Sequence, residues 1–204
     1  MKKFFLPLIP AVILLFSGMC LANPPHQVGG FILGKNVADY SEILRMETSL
    51  PIRYMEYISE VEIKKTAGFK TGIISYGTCA APGRIVRVRL KYADPTKGFY
   101  DKLLALFRKQ FGKPTEWRGD PFNIIIAWKW SFTDNENNKI SLILHHNTKD
   151  SEEKLGNVVK LTMLTFVEEE YRCFQKKHPE TLDGPGKQEL DSRGEVNWDL
   201  FVPR

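Results

Sequence analysis

Apolar and charged positions alternate most cleanly over 84–92. Val86, Val88, Leu90 and Tyr92 fall on one side, and Arg87, Arg89 and Lys91 on the other. A period of two with one wet face predicts a half-buried strand. Strand-like runs also cover 54–64, 69–76, 123–132, 139–146 and 157–167. Asp134 to Asn138 supply a polar hairpin turn between the fourth and fifth. Residues 28–34 read as a short strand edged by glycines.

Helical spacing appears in three places. Val37, Tyr40, Ile43 and Leu44 share a helical face behind Asn36, a good N-cap residue. A longer helix is predicted over 95–111, with Asp94 as N-cap and Pro95 at the first helical position. Its stripe is Tyr100, Leu103, Leu104, Phe107 and Phe111, and Gly112 and Pro114 end it. A last helix is expected over 168–177. Glu168, Glu169 and Glu170 at its start suit the helix dipole. The expected order is helix and three strands, the same again, then a closing helix. That is an α+β architecture of two αβββ-like units, about 28–93 and 94–178, with helices packed on one face of antiparallel sheet. Residues 179–204 carry Pro and Gly breaks and high charge, and read as a flexible tail.

The first 22 residues change the picture. Lys2 and Lys3 precede an apolar stretch from Phe4 to Phe16, and Cys20-Leu21-Ala22 puts small residues at the third and first positions before Asn23. This is the layout of a signal peptide cut after Ala22, for a periplasmic or secreted protein. The apolar run is short for a membrane span, and Pro7 and Pro10 interrupt it, so no spanning segment is expected after cleavage. Membrane contact from outside stays open. The N-terminal lysines and the lack of any Asn-x-Ser/Thr acceptor fit a bacterial envelope. Loss of Lys2 and Lys3, with no acid lost, takes the formal charge from +5 to +3. That is too mild to predict nucleic acid as a partner. Cys79 and Cys173 remain, and an even pair in an oxidising compartment predicts one structural disulfide.

Gly29-Gly30-Phe31-Ile32-Leu33-Gly34 before a helix resembles the opening of small bacterial envelope proteins with a Leu-Gly step. Leu104-Ala105-Leu106-Phe107, Phe111-Gly112-Lys113-Pro114 and Trp128-Lys129-Trp130 form a pattern similar to secreted units of the outer-membrane small-lipoprotein type. Those share their layout with β-lactamase-inhibitor-like tandem domains. The resemblance covers 28–178. The chain departs from the lipoproteins in Ser17-Gly18-Met19 before Cys20, a poor lipidation signal. The resemblance implies a non-enzymatic binding or assembly role with an envelope protein partner. It carries no binding residue across. The alternative is a small envelope hydrolase or hydrolase inhibitor.

Candidate chemistry is sparse. Arg84, Arg87, Arg89 and Lys91 form a basic face suited to an acidic partner, lipid headgroups or anionic glycan. Glu56, Glu60 and Glu62 alternate on the 54–64 run. Were the two strands neighbours, these charges would pair and the patch would vanish. With the 69–76 strand between them, the rows stand about 10 Å apart and a patch survives. His145 and His146 point to opposite faces of a strand, so no metal site is expected. Trp128 and Trp130, in line with Ile124, Ile126 and Phe132, read as core. Trp117, in the loop 112–121, is the better ligand-stacking candidate. Trp198 and Phe201 in the apolar end of the tail suit docking by strand addition. No Gly-x-Ser-x-Gly or His-Glu-x-x-His pattern occurs, so no catalytic residue and no cofactor is assigned.

Overall fold

The computed structural model describes residues 23–148 and 156–179. Residues 1–22, expected to be a signal peptide, and 180–204, nearly all of the expected tail, lie outside the described residues. A small hairpin comes first, β1 (Gln27–Val28) and β2 (Phe31–Ile32), then a single 3-10 turn at Val37–Tyr40. Four strands follow: β3 (Leu44–Ile52), β4 (Met55–Ile63), β5 (Phe69–Gly77) and β6 (Ile85–Tyr92). Helix α1 (Lys97–Phe111) separates them from β7 (Glu116–Trp117), β8 (Ile125–Thr133), β9 (Lys139–Asn147) and β10 (Gly156–Met163). Helix α2 (Leu164–Lys177) closes the described chain.

The expected α+β repeat of a helix and three strands is not what forms. The protein is mostly β. Strands β3 to β10 make one antiparallel eight-stranded sheet in the order β3-β4-β5-β6-β10-β9-β8-β7. The middle of the sheet is the β6–β10 pair, which sets Val88 opposite Leu161 and Leu90 opposite Val159. These four side chains are buried, so the alternation in β6 is a true core-in, wet-out period.

Three local expectations fail for identifiable reasons. Asn36 does cap, accepting from Ala38 N at 2.9 Å, but only one 3-10 turn follows. Leu44 then starts an edge strand instead of ending a helix. That strand carries Pro51 and two register shifts, so it shows no clean alternation in sequence. The N-cap of α1 is Thr96, whose hydroxyl accepts from Phe99 N at 3.2 Å, and Asp94 turns the chain before it by accepting from Thr96 N at 2.8 Å. Lastly, β10 stops at Met163 and α2 begins at Leu164. The three glutamates therefore sit a turn inside the helix and not at its start.

Both helices lie on the same face of the sheet. Phe107 of α1 meets Trp130 edge-on at 5.8 Å, and Phe111 meets Phe132 at 5.7 Å. Buried Trp130 donates its Nε1 proton to Gly112 O at 3.0 Å, which ties the end of α1 to β8. Tyr171 and Phe174 of α2 reach back across the sheet to Tyr57 of β4 at 5.4 and 5.7 Å.

Helix α2 is held by a fully buried carboxylate. Glu170 accepts from the backbone N–H groups of Cys79, Ala80 and Ala81 at 2.7, 2.8 and 2.9 Å. Arg84 stands 3.5 Å away. A buried charge persists only when its oxygens are saturated with donors in this way. Gly77 makes room for it, since a Cβ there would fall 2.3 Å from the Glu170 carboxyl carbon. Cys79 and Cys173 form the disulfide over the same contact, across 94 residues of sequence.

Glu170→Ala should cost about 3 kcal/mol in urea unfolding of the oxidised protein, because three backbone N–H donors lose their charged acceptor and Arg84 is left with Glu169 alone. Replacing both cysteines by alanine should cost about 3–5 kcal/mol through the freed unfolded chain. Losses under about 1 kcal/mol would show that neither group anchors the helix.

Candidate functional site, the helix-free face of the sheet

Among the described residues no helix covers the other face, and its centre is cationic. Arg87, Arg89 and Lys91 of β6 all project there, as the alternation requires. Register builds rows across the strands. Arg89 lies opposite Ile73 on β5 and opposite Lys160 on β10, and Lys160 lies opposite Ile143 on β9. One residue pair further along β6, Ser75, Arg87 and Thr162 align, and on the other side Thr71, Lys91 and Val158 align. Arg89 and Lys160 are therefore like charges placed directly across a strand pair, a destabilising arrangement.

The acids of this face stand at its flanks. Strand β5 separates β4 from β6, so Glu60 and Glu62 do not meet the arginines. Glu62 pairs with Arg45 at 3.4 Å, and Glu60 accepts from the Ser75 hydroxyl at 2.9 Å. On the far flank Glu116 holds Lys129 at 3.1 Å and Arg118 at 2.7 Å. The hydrogen bond from Lys129 leads in holding the Glu116 carboxyl below its ordinary range. Among the described residues no carboxylate comes within ion-pair distance of Arg87, Arg89 or Lys160.

Titration reflects the crowding. Burial, then Arg87 and Arg89, push the Lys160 ammonium down. Burial lowers Arg87 too, with Arg89 adding to it against the attraction of Glu60. His145, opposite Val158 on β9, falls from 6.5 to about 4, mainly through burial and then through Arg89. At neutral pH it is an uncharged imidazole among cations.

A concavity of about 980 Å³ opens on this face at the end where β6 finishes. Arg89, Lys91 and His145 line it, with Lys65 and Lys70 from the β4–β5 hairpin. Ile73, Val158 and Ile125 give it apolar wall.

The sequence candidates divide. Arg87, Arg89 and Lys91 come together. Arg84 does not join them. It turns to the helix face, 2.6 Å from Glu169 and 4.1 Å from the centre of the Phe166 ring. Residue 84 precedes β6, and a period of two already sets it out of step with Arg87, Arg89 and Lys91. Trp117 is not in a loop but in the short edge strand β7, stacked edge-on against Trp128 at 4.8 Å. It leaves two-fifths of its surface exposed and lies away from the cations. His146 is buried on the helix side, 2.8 Å from Asn157 and stacked on Tyr100. Cys79 and Cys173 serve the scaffold. Trp198 and Phe201 fall outside the described residues. Lys160 was missed, although Val158-Val159-Lys160-Leu161-Thr162 alternates visibly. Only the pairing of β10 with β6 shows whom it faces.

Comparison with family models, with curated proteins and with solved structures finds no match.

Two outcomes follow from these charges. Lys160→Thr should stabilise the fold by about 0.5 kcal/mol in urea unfolding, by removing the opposed pair. A loss of stability would refute the like-charge reading. His145 has a folded pKa near 4 against 6.5 for the free side chain. Between these values the unfolded chain holds the extra proton. The His145 contribution is thus constant above pH 6.5 and is lost as pH falls through 4, by roughly 3 kcal/mol. His145→Asn should flatten that stretch of the profile; an unchanged slope would place its origin elsewhere.

Proposed function

We propose that this protein is a secreted, non-catalytic binding protein of the bacterial cell envelope, whose helix-free sheet face takes an anionic partner. The observation that carries the reading is the Arg89–Lys160 pair with Arg87 beside it. Three cations at the sheet centre have no ion-pair acid among the described residues, while the acids of the face are engaged at its flanks. Such a cluster lowers stability when the face is bare and repays it when an anion is bound. The disulfide supports an oxidising compartment. It agrees with export directed by residues 1–22.

The test is calorimetric titration of the purified protein with inorganic phosphate, dodecyl phosphate and hexaglutamate. At least one should bind. The double reversal R89E/K160E should then lower its affinity tenfold or more. Lys109→Glu, the same kind of change on exposed α1, should leave it within twofold. Equal losses in both variants, or no binding by any probe, would overturn the reading. Protein recovered from the envelope should begin at Asn23, and an intact Met1 terminus would remove the export part.

A further inference from the structure

We infer that the ligand of this face is an anionic amphiphile, a single molecule with a phosphate or carboxylate head and a long alkyl tail, seated in the concavity beside Arg89. The inference rests on the anionic-partner reading and names its ligand class.

Size comes first. At about 980 Å³ the concavity is at the upper end of small-molecule sites and far exceeds an inorganic ion. Its chemistry is divided as an amphiphile requires. Arg89, Lys65 and Lys70 face the space with Lys91, and Glu62, the one lining carboxylate among the described residues, is held by Arg45 at 3.4 Å. A head group of one or two negative charges is the complement.

The remaining wall is apolar and runs across the sheet. Ile73 on β5 and Val158 on β10 flank β6, one opposite Arg89 and the other opposite Lys91. Ile125 on β8 continues the line and is 39% exposed. From β5 to β8 is four strand spacings, about 19 Å, the reach of a long alkyl chain. His145 lies on the same path. As an uncharged ring it adds a hydrogen-bonding edge without the desolvation cost of a second ion. A hydrophilic polyanion would leave these isoleucines and the valine uncovered, and a neutral lipid would leave Arg89 without an ion-pair acid among the described residues.

The experiment uses the unaltered protein and a series of butyl, octyl and dodecyl phosphate, each below its micelle concentration. Inorganic phosphate and hexaglutamate serve as heads without tails, and dodecyl glucoside as a tail without charge. Affinity should rise with chain length, by about 100-fold or more from butyl to dodecyl at one ligand per protein. Inorganic phosphate, hexaglutamate and the glucoside should each bind at least tenfold more weakly than dodecyl phosphate. Ile73→Thr should flatten the chain-length dependence, whereas Arg89→Gln should weaken every alkyl phosphate by a similar factor. Their urea midpoints show whether both variants fold.

Affinity independent of chain length, or tightest for hexaglutamate, would overturn the amphiphile and leave the anionic-partner reading standing. Absence of binding by every anion would remove both. Phosphatidylglycerol vesicles separate the two sources of such a ligand. Transfer of one lipid to each protein released from the vesicle supports the inference, and protein that only stays on the vesicle surface overturns it.

Discussion

Glu170 carries a charge with no access to solvent. Burying it is tolerable because the loop after β5 offers three consecutive N–H groups and Arg84 stands behind them. The pairing joins α2, which follows the last strand, to a loop in the first half of the chain. The helix must therefore cross the sheet on one particular side. The disulfide from Cys79 to Cys173 secures the same crossing covalently. With α1 packed on that side as well, through Phe107, Phe111 and Tyr100, the apolar surface of one face is consumed and the other is left without a helix.

The two faces then follow different rules. On the covered face the polar groups are spent internally. Asn157, fully buried, takes up His146 and donates to the carbonyls of Asp94 and Thr96, so β10 and the entrance to α1 are fixed together. On the bare face the acids at the flanks are spent, but Arg87, Arg89 and Lys160 have no ion-pair acid among the described residues. Arg89 and Lys160 oppose one another across the central strand pair, and burial, with Arg89 next, keeps His145 uncharged at neutral pH. A fold selected for stability alone would place a carboxylate at one of these positions, as it does at Glu62 and Glu116 on the flanks. Unbalanced charge at the sheet centre is the ground for the proposed anionic ligand, and the apolar wall beside it is the ground for the proposed alkyl tail.

Much of the local structure was legible from the chain. Strand period in β4, β5, β6, β8 and β9, the Asp134 turn and the stop of α1 at Gly112 are local effects, and each appears in the fold. The pairing of Cys79 with Cys173 was forced by there being only two cysteines once the first 22 residues are set aside. The misreadings share a cause. Val37 to Leu44 has helical spacing, yet only Val37 and Leu44 of its apolar side chains are buried, at a 3-10 turn and a strand start, and Tyr40 packs on Phe31 of the β1–β2 hairpin. Glu168 to Glu170 looked like dipole residues because nothing nearby in sequence hints at donors some ninety positions away.

The sequence by itself determined which residues could share a strand face, and hence that Arg87, Arg89 and Lys91 point the same way. Side-chain alternation is a property of the backbone and needs no partner. Tertiary structure alone decided that β5 would intervene between the acidic and basic strands and that Lys160 would come to face Arg89. Those outcomes depend on strand order and on which helix covers which face. Contacts between residues far apart in the chain set both, and no short-range pattern encodes them.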